Sequence, residues 1–335
     1  MTESKEVERI RLLLDDAAAG ETTGDFDAVY RRALRQRVAW RGGLATALAA
    51  VVAAAVVVPS VVLSHGSSSP TVRVLRGGGG PSESTAPGDL DPVQLVGSWR
   101  VSAAGEPDGT SLILGGGDLR VFRACGMLDG VWTASRSGLF VGYTYGGDGT
   151  CFLGARKDPD VPWLTAAKRY RIDGDERLLL DASGNVVARL SPGAHPTVGP
   201  NDVPSFAAPP VVNAKLRAMF DPPAPLPASL RPASLDDMLG RWHALGPKAG
   251  NSKAYVAFRA DGTWTGSDGC NGIGGRFAVG PAGELLVTQG GQTLVGCGNS
   301  PVSSWVGTAG RVGLDGPDLV LVDERGEELG RLGKG

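Results

Sequence analysis

A chain of 335 residues has room for two domains of ordinary size, and 51 glycines and 23 prolines against 20% charged residues favour turn-dense β domains over helical bundles. A formal net charge of −2 gives no electrostatic case for a nucleic-acid partner. The charge is nevertheless uneven along the chain, and the unevenness begins at the N-terminus.

Residues 1–43 carry two short helical patterns. Val7, Ile10, Leu13 and Leu14 share one face of "EVERIRLLLDDA", and Phe26, Val29, Tyr30 and Leu34 share one face of "DFDAVYRRALRQR", with Asp25 placed to cap it. Helices this short are marginal alone in water, so three readings stay open: a disordered tail, helices lying on a membrane, or helices binding a partner. Arg31, Arg32, Arg35, Arg37 and Arg41 then cluster with no acidic residue among them.

Residues 44–63, "LATALAAVVAAAVVVPSVVL", contain no charge. As a helix they would run about 30 Å, the thickness of a bilayer core. The rivals are a buried soluble helix and a cleaved signal peptide. Uncharged Ala/Val runs of this length argue against the first. Some forty preceding residues, and no clean small-x-small site after Leu63, argue against the second. The arginine cluster predicts a cytoplasmic N-terminus, so residues after 63 are expected outside the cytoplasm. Residues 64–92, rich in Gly, Ser and Pro, read as a flexible tether.

The remainder contains an internal repeat. "LVGSWRV" at 95–101 recurs as "MLGRWHA" at 238–244, and "CGMLDGVW" at 125–132 as "CNGIGGRF" at 270–277. Residues 163–190 align without a gap on 305–332, from the tryptophan through the Asp-Gly and Asp-x-x-Gly turns to the final Arg-Leu. The domains are therefore set at 93–193 and 236–335, joined by a proline-dense, extended connector at 194–235 in which "VVNAKLRAMF" has room for a helical turn or two. Within each repeat the period is two: "YVAFRADGTWTG" and "DLVLVDERGEELGRL" read as hairpins, and "VPWLTAAKRY" and "VSSWVGTAGRV" as one short helix per repeat. The predicted fold class is mainly β: two small antiparallel sheets or partly open barrels, each with one short helix, behind one transmembrane helix.

Cys125 and Cys151 match Cys270 and Cys297, two per repeat. In an oxidising compartment such pairs form disulfides; buried reduced thiols are the alternative. No metal site is expected, since neither repeat has a C-x-x-C or a nearby histidine. Catalytic material is scarce. His65 lies at the predicted membrane surface, His195 in the connector, and His243 is matched by Arg100 in the first repeat. Carboxylates such as Asp173 and Asp315 occupy turns. No catalytic residue, cofactor or enzymatic activity is expected. Sugar stacking on tryptophan is a rival to core packing: Trp99/Trp242 and Trp163/Trp305 repeat as core positions should, while Trp264 is the candidate for exposure. The stretch "GSDGCNGIGG", 266–275, fails both nucleotide-loop patterns and reads as a disulfide-anchored turn, with Asn271 bonding the turn's backbone or marking a surface.

The second repeat resembles the META domain of the HslJ heat-shock type. That family's opening G-x-W, F-x-x-D-G hairpin, G-C-N-x-x-x-G-x-[FY] stretch, later cysteine and closing L-x-L-x-D-x-x-G are matched by Gly240, Trp242, Phe258, Asp261, Gly262, Cys270, Asn271, Gly275, Phe277, Cys297, Leu319, Leu321, Asp323 and Gly326. The first repeat departs: Gly126 stands for the asparagine, Trp132 for the Phe, and the hairpin is blurred into "LGGGDLRVF". The resemblance implies small β-rich domains of the bacterial envelope, often lipoproteins, linked to stress or antibiotic tolerance, with no general activity or cofactor. The expected function is thus a membrane-anchored extracytoplasmic module with a structural, binding or stress-protective role. The alternative is a signalling protein whose exported repeats sense a ligand while its tail holds a regulator such as a sigma factor.

Overall fold

The computed structural model describes residues 90–153, 161–196, 198, 203–247, 249–293, 295–296 and 300–335. The tail, the apolar segment 44–63, most of the tether and Cys297 lie outside the described residues. Among those described, no helix is long and apolar enough to cross a membrane.

Side chains alternate between core and solvent along strands such as Gly97–Ala103, Thr263–Ser267 and Glu328–Lys334, whereas Ser111–Leu114 is buried throughout, and each repeat curls its buried face inward. The first sheet comprises β1 (Gly97–Ala103), β2 (Ser111–Leu114), β3 (Asp118–Arg123), β4 (Gly126–Ala134), β5 (Phe140–Gly147), β6 (Arg169–Asp173), β7 (Glu176–Leu180) and β8 (Val186–Pro192). Its order is β5-β4-β3-β2-β1-β8-β7-β6, antiparallel throughout. The second comprises β9 (Arg231–Pro232), β10 (Gly240–Ala244), β11 (Tyr255–Phe258), β12 (Thr263–Ser267), β13 (Gly272–Val279), β14 (Leu285–Val287), β15 (Arg311–Asp315), β16 (Asp318–Val322) and β17 (Glu328–Lys334). Its order is β14-β13-β12-β11-β10-β17-β16-β15-β9. The helices are α1 (Gly149–Leu153) and α2 (Pro162–Ala166) in the first repeat, α3 (Ala214–Ala218) in the connector, and α4 (Leu235–Met238) and α5 (Val302–Thr308) at the second repeat.

Each sheet nearly closes on itself at a single bridge, Leu139 to Arg169 in the first and Glu284 to Arg311 in the second. The bonds around these bridges repeat: Tyr170 N–H donates to Gly138 O, and Val312 N–H donates to Gly283 O. Two partly open half-barrels result, and their construction is duplicated in detail. Asp181 accepts the N–H groups of Ser183 and Asn185, and Asp323 accepts those of Arg325 and Glu327. The bulge before each of these turns falls at Leu179/Leu180 and at Leu321/Val322.

The expected helix of each repeat is present as α2 and α5, but further helical turns flank the sheets. The 3-10 turn Pro92–Leu95 precedes β1, and α4 precedes β10. Trp99 Nε1 donates to Leu95 O at 2.8 Å, and Trp242 Nε1 to Met238 O at 2.7 Å. One indole thus satisfies the free carbonyl end of each turn while burying its ring in the barrel. The blurred "LGGGDLRVF" is still a hairpin: Trp132 N–H donates to Gly117 O, as Phe277 N–H does to Gly262 O, and both glycines hold positive φ (87° and 80°).

The connector is not a loose spacer. Leu216 and Phe220 bury themselves in the first core, with Phe220 tilted against Trp132 at 5.3 Å between ring centres. Further on, Arg311 donates to the carbonyls of Pro223 and Ala224, and Arg231 and Pro232 pair with β15. The repeats also touch directly. Arg276 Nη2 donates to Thr165 O at 2.8 Å and to Asp261 O at 3.0 Å, and Lys168 Nζ donates to Asp261 O at 3.1 Å.

Candidate functional site

The stretch 266–275 supplies the best-defined polar constellation. It forms the β12–β13 turn, whose last pair is Ser267 with Gly272. Asp268 Oδ1 accepts the N–H groups of Cys270 (2.8 Å) and Asn271 (2.6 Å), and its Oδ2 accepts from Asn271 Nδ2 at 2.9 Å. Burial raises the Asp268 carboxyl, but the bonds from Asn271 and Cys270 outweigh it and hold the group below its ordinary range. Asn271 is 2% exposed. It also trades two bonds with Val295, donating from Nδ2 to the carbonyl and accepting the N–H on Oδ1. The side chain therefore clamps the turn to the loop before α5.

In the first repeat the equivalent turn is two residues long, since Arg123 pairs with Gly126. A Cβ on Gly126 would collide with the backbone of Asp148 and Gly149, so no asparagine fits. Asp148 takes over part of the clamping by accepting the N–H of Met127 at 2.8 Å. Cys125 and Cys151 form a disulfide with Cα atoms 5.0 Å apart. Cys270 is disulfide-bonded as well; its expected partner, Cys297, lies outside the described residues.

The other motif positions build the frame. Trp242 and Phe277 are core residues. Gly275 lies where a Cβ would collide with the Thr288 carbonyl, and its counterpart Gly130 is crowded in the same way by Tyr143. Asp261 accepts Thr263 N–H and Oγ1 in the β11–β12 turn, and Gly262 completes that turn against Lys168. Asp323 and Gly326 form the turn before β17. Trp264, expected to be exposed, is 1% exposed instead. It faces inward opposite Phe258 and donates its indole N–H to Thr288 O. With Trp99, Trp242 and Trp264 all buried, no surface platform for sugar stacking comes from these three rings.

Two hollows remain. A cleft of about 650 Å³ runs between the repeats and the connector, with Arg136, Phe220, Asp221, Glu284 and Glu324 among its walls. A smaller hollow, about 460 Å³, sits inside the second repeat beside the Asp268 turn, with Ile273, Gln289, Gln292, Ser300 and Ser303 on its lining. Among the described residues no group of three or more His, Cys, Asp and Glu could hold a metal.

Glu106 carries no motif that singles it out in the sequence. Its carboxylate, with the side chain 2% exposed, accepts a two-pronged ion pair from Arg123 (2.7 Å to each oxygen), Thr110 Oγ1 and Trp163 Nε1. Burial raises the Glu106 carboxyl, yet the bonds from Arg123, Thr110 and Trp163 outweigh it and hold it below 4.5. With every neighbour engaged, the cradle is a structural staple of the first repeat. At the junction of the repeats, burial and then the charge of Arg276 push the Lys168 ammonium down to about 8, against the opposing pull of Asp261. No protein-family model matches the chain, and no curated protein or solved structure matches it either.

Proposed function

We propose that the chain is a membrane-anchored, extracytoplasmic module of the bacterial envelope, built from two META-type domains, with a non-catalytic binding or stress-protective role. The observation that carries this reading is the disulfide Cys125–Cys151 within the folded part of a chain that also contains an uncharged stretch behind five arginines. Disulfides persist in oxidising compartments, and the arginines would hold the N-terminus on the cytoplasmic side. The META assignment rests on the motif of the second repeat, and the duplicated half-barrels are consistent with it.

In this reading residues 44–63 are the anchor and the engaged side chains of the motif are scaffold. The hollows are left as the surfaces that meet a ligand. Cell fractionation tests the anchor. The full chain is expected in the membrane fraction, resistant to salt and alkaline washing, and the variant lacking 44–63 in the soluble fraction. Recovery of the intact chain in the soluble fraction would overturn the reading.

A further inference from the structure

The seams at which the two half-barrels nearly close lie against each other. A Cβ on Gly280 would stand 3.2 Å from Leu139 Cδ1. Glu284, which bridges to Arg311 in the second seam, extends its side chain to the first repeat, where its Oε2 accepts the hydroxyl of Ser137. Glu284 is 9% exposed, yet that hydroxyl is the one donor its carboxylate has among the described residues. Its Oε1 accepts no bond and is not sealed off from open space. The contrast is Glu106, another buried carboxylate, which is met by a guanidinium, a hydroxyl and an indole. A buried carboxylate with a single hydroxyl partner is short of positive charge.

Glu284 lines the 650 Å³ cleft between the repeats and the connector. The walls carry four carboxylates, Asp221, Glu284, Asp323 and Glu324, against two guanidiniums, Arg136 and Arg325. Neither arginine is ion-paired with Glu284. The excess is negative, so a cation is favoured over an anion. A metal ion is a poor fit, because among the described residues no three carboxylates, histidines or cysteines converge on one point. The rest of the lining is apolar, with Phe220, Leu285, Val287 and Leu329, and with Met219 left 51% exposed. A cleft of this volume takes a small organic ligand.

We propose that the cleft binds a small organic cation, a primary ammonium on an apolar body. The ammonium donates to Glu284 Oε1 in a charge-assisted bond, and the apolar body lies along Leu285, Val287 and Met219. Asp221 and Glu324, both exposed, add attraction at longer range. The proposal rests on the binding role given above but not on membrane topology, so either can fail alone.

Saturation-transfer NMR tests it with three probes of one shape: benzylamine, benzyl alcohol and benzoate. The full-length chain is held in dodecyl maltoside, and the signal of empty micelles is subtracted. The expected result is a saturable benzylamine signal, with benzyl alcohol at least about tenfold weaker and benzoate weaker still. Glu284→Gln keeps an acceptor for Ser137 but removes the charge. It is expected to weaken benzylamine about tenfold, with its melting midpoint unchanged or raised. Glu324→Gln, at an exposed position where folding is not at risk, is expected to weaken it about twofold, the more so at low salt. Absence of a saturable signal, equal binding of benzyl alcohol, or unaltered binding in both variants would each overturn the proposal and leave a cleft that holds water and loose counter-ions.

Discussion

Glu106 shows how one side chain can decide the stability of a repeat. Its carboxylate is buried and its partners leave no lone pair idle, so removing the charge strands Arg123. Glu106→Gln is expected to destabilise the protein by about 3 kcal/mol at neutral pH, read from denaturant midpoints. The pH dependence has a definite sign. The folded carboxyl lies below its ordinary value of 4.5, so its stabilisation is present above that value and is lost as pH falls through the folded one. The wild-type midpoint should drop in that acid range, and Glu106→Gln should flatten the drop. The second repeat offers no acidic counterpart between β10 and β11, so the repeat comparison gave no reason to single Glu106 out. Trp264 was more legible than its reading allowed. It aligns with Leu119, a core position of the first repeat, since each pairs with the matching glycine of the next strand, and its partner Phe258 is apolar.

At the scale of elements, glycine and proline carry the specification. Gly130 and Gly275 admit the carbonyl of the neighbouring strand where any Cβ would collide. Gly275→Ala is expected to cost at least about 2 kcal/mol by pushing the 288–290 segment off β13. Gly272→Ala, three residues earlier with open space around it, is expected to stay within about 0.5 kcal/mol. Equal effects in thermal denaturation would remove the close-approach account. Hairpins at 255–267 and 318–334 and the two Trp-bearing helices were readable because period-two patterns end there at Asp-Gly or Asp-x-x-Gly turns. The docking of the connector was not readable, because proline density speaks of extension and not of what the extended chain lies on. Phe220→Ala distinguishes the two descriptions. A side chain packed on Trp132 predicts a loss of about 3–4 kcal/mol, and a free tether predicts none.

For the whole molecule, duplication explains most of the architecture. Two half-barrels share turn chemistry, bulge positions and bridging bonds, and a junction made by Arg276, Lys168 and the connector joins them. The junction has a pH signature of its own. The Lys168 ammonium sits near 8 in the folded chain against 10.5 when free, so its protonation opposes folding below 8. Stability should therefore rise between about pH 8 and 10.5, and Lys168→Met should remove that rise in denaturant titrations. The disulfide of the first repeat closes a 26-residue separation and contributes about 3.5 kcal/mol by restricting the unfolded chain. That contribution lasts only where the bond stays oxidised, which ties the stability of the module to its compartment.

Protease shaving of intact cells carrying the full chain, tagged at both ends, tests that placement most directly. The account predicts that the C-terminal tag is lost while the N-terminal tag stays protected until the membrane is opened. Protection of both tags, or loss of the N-terminal tag alone, would contradict it.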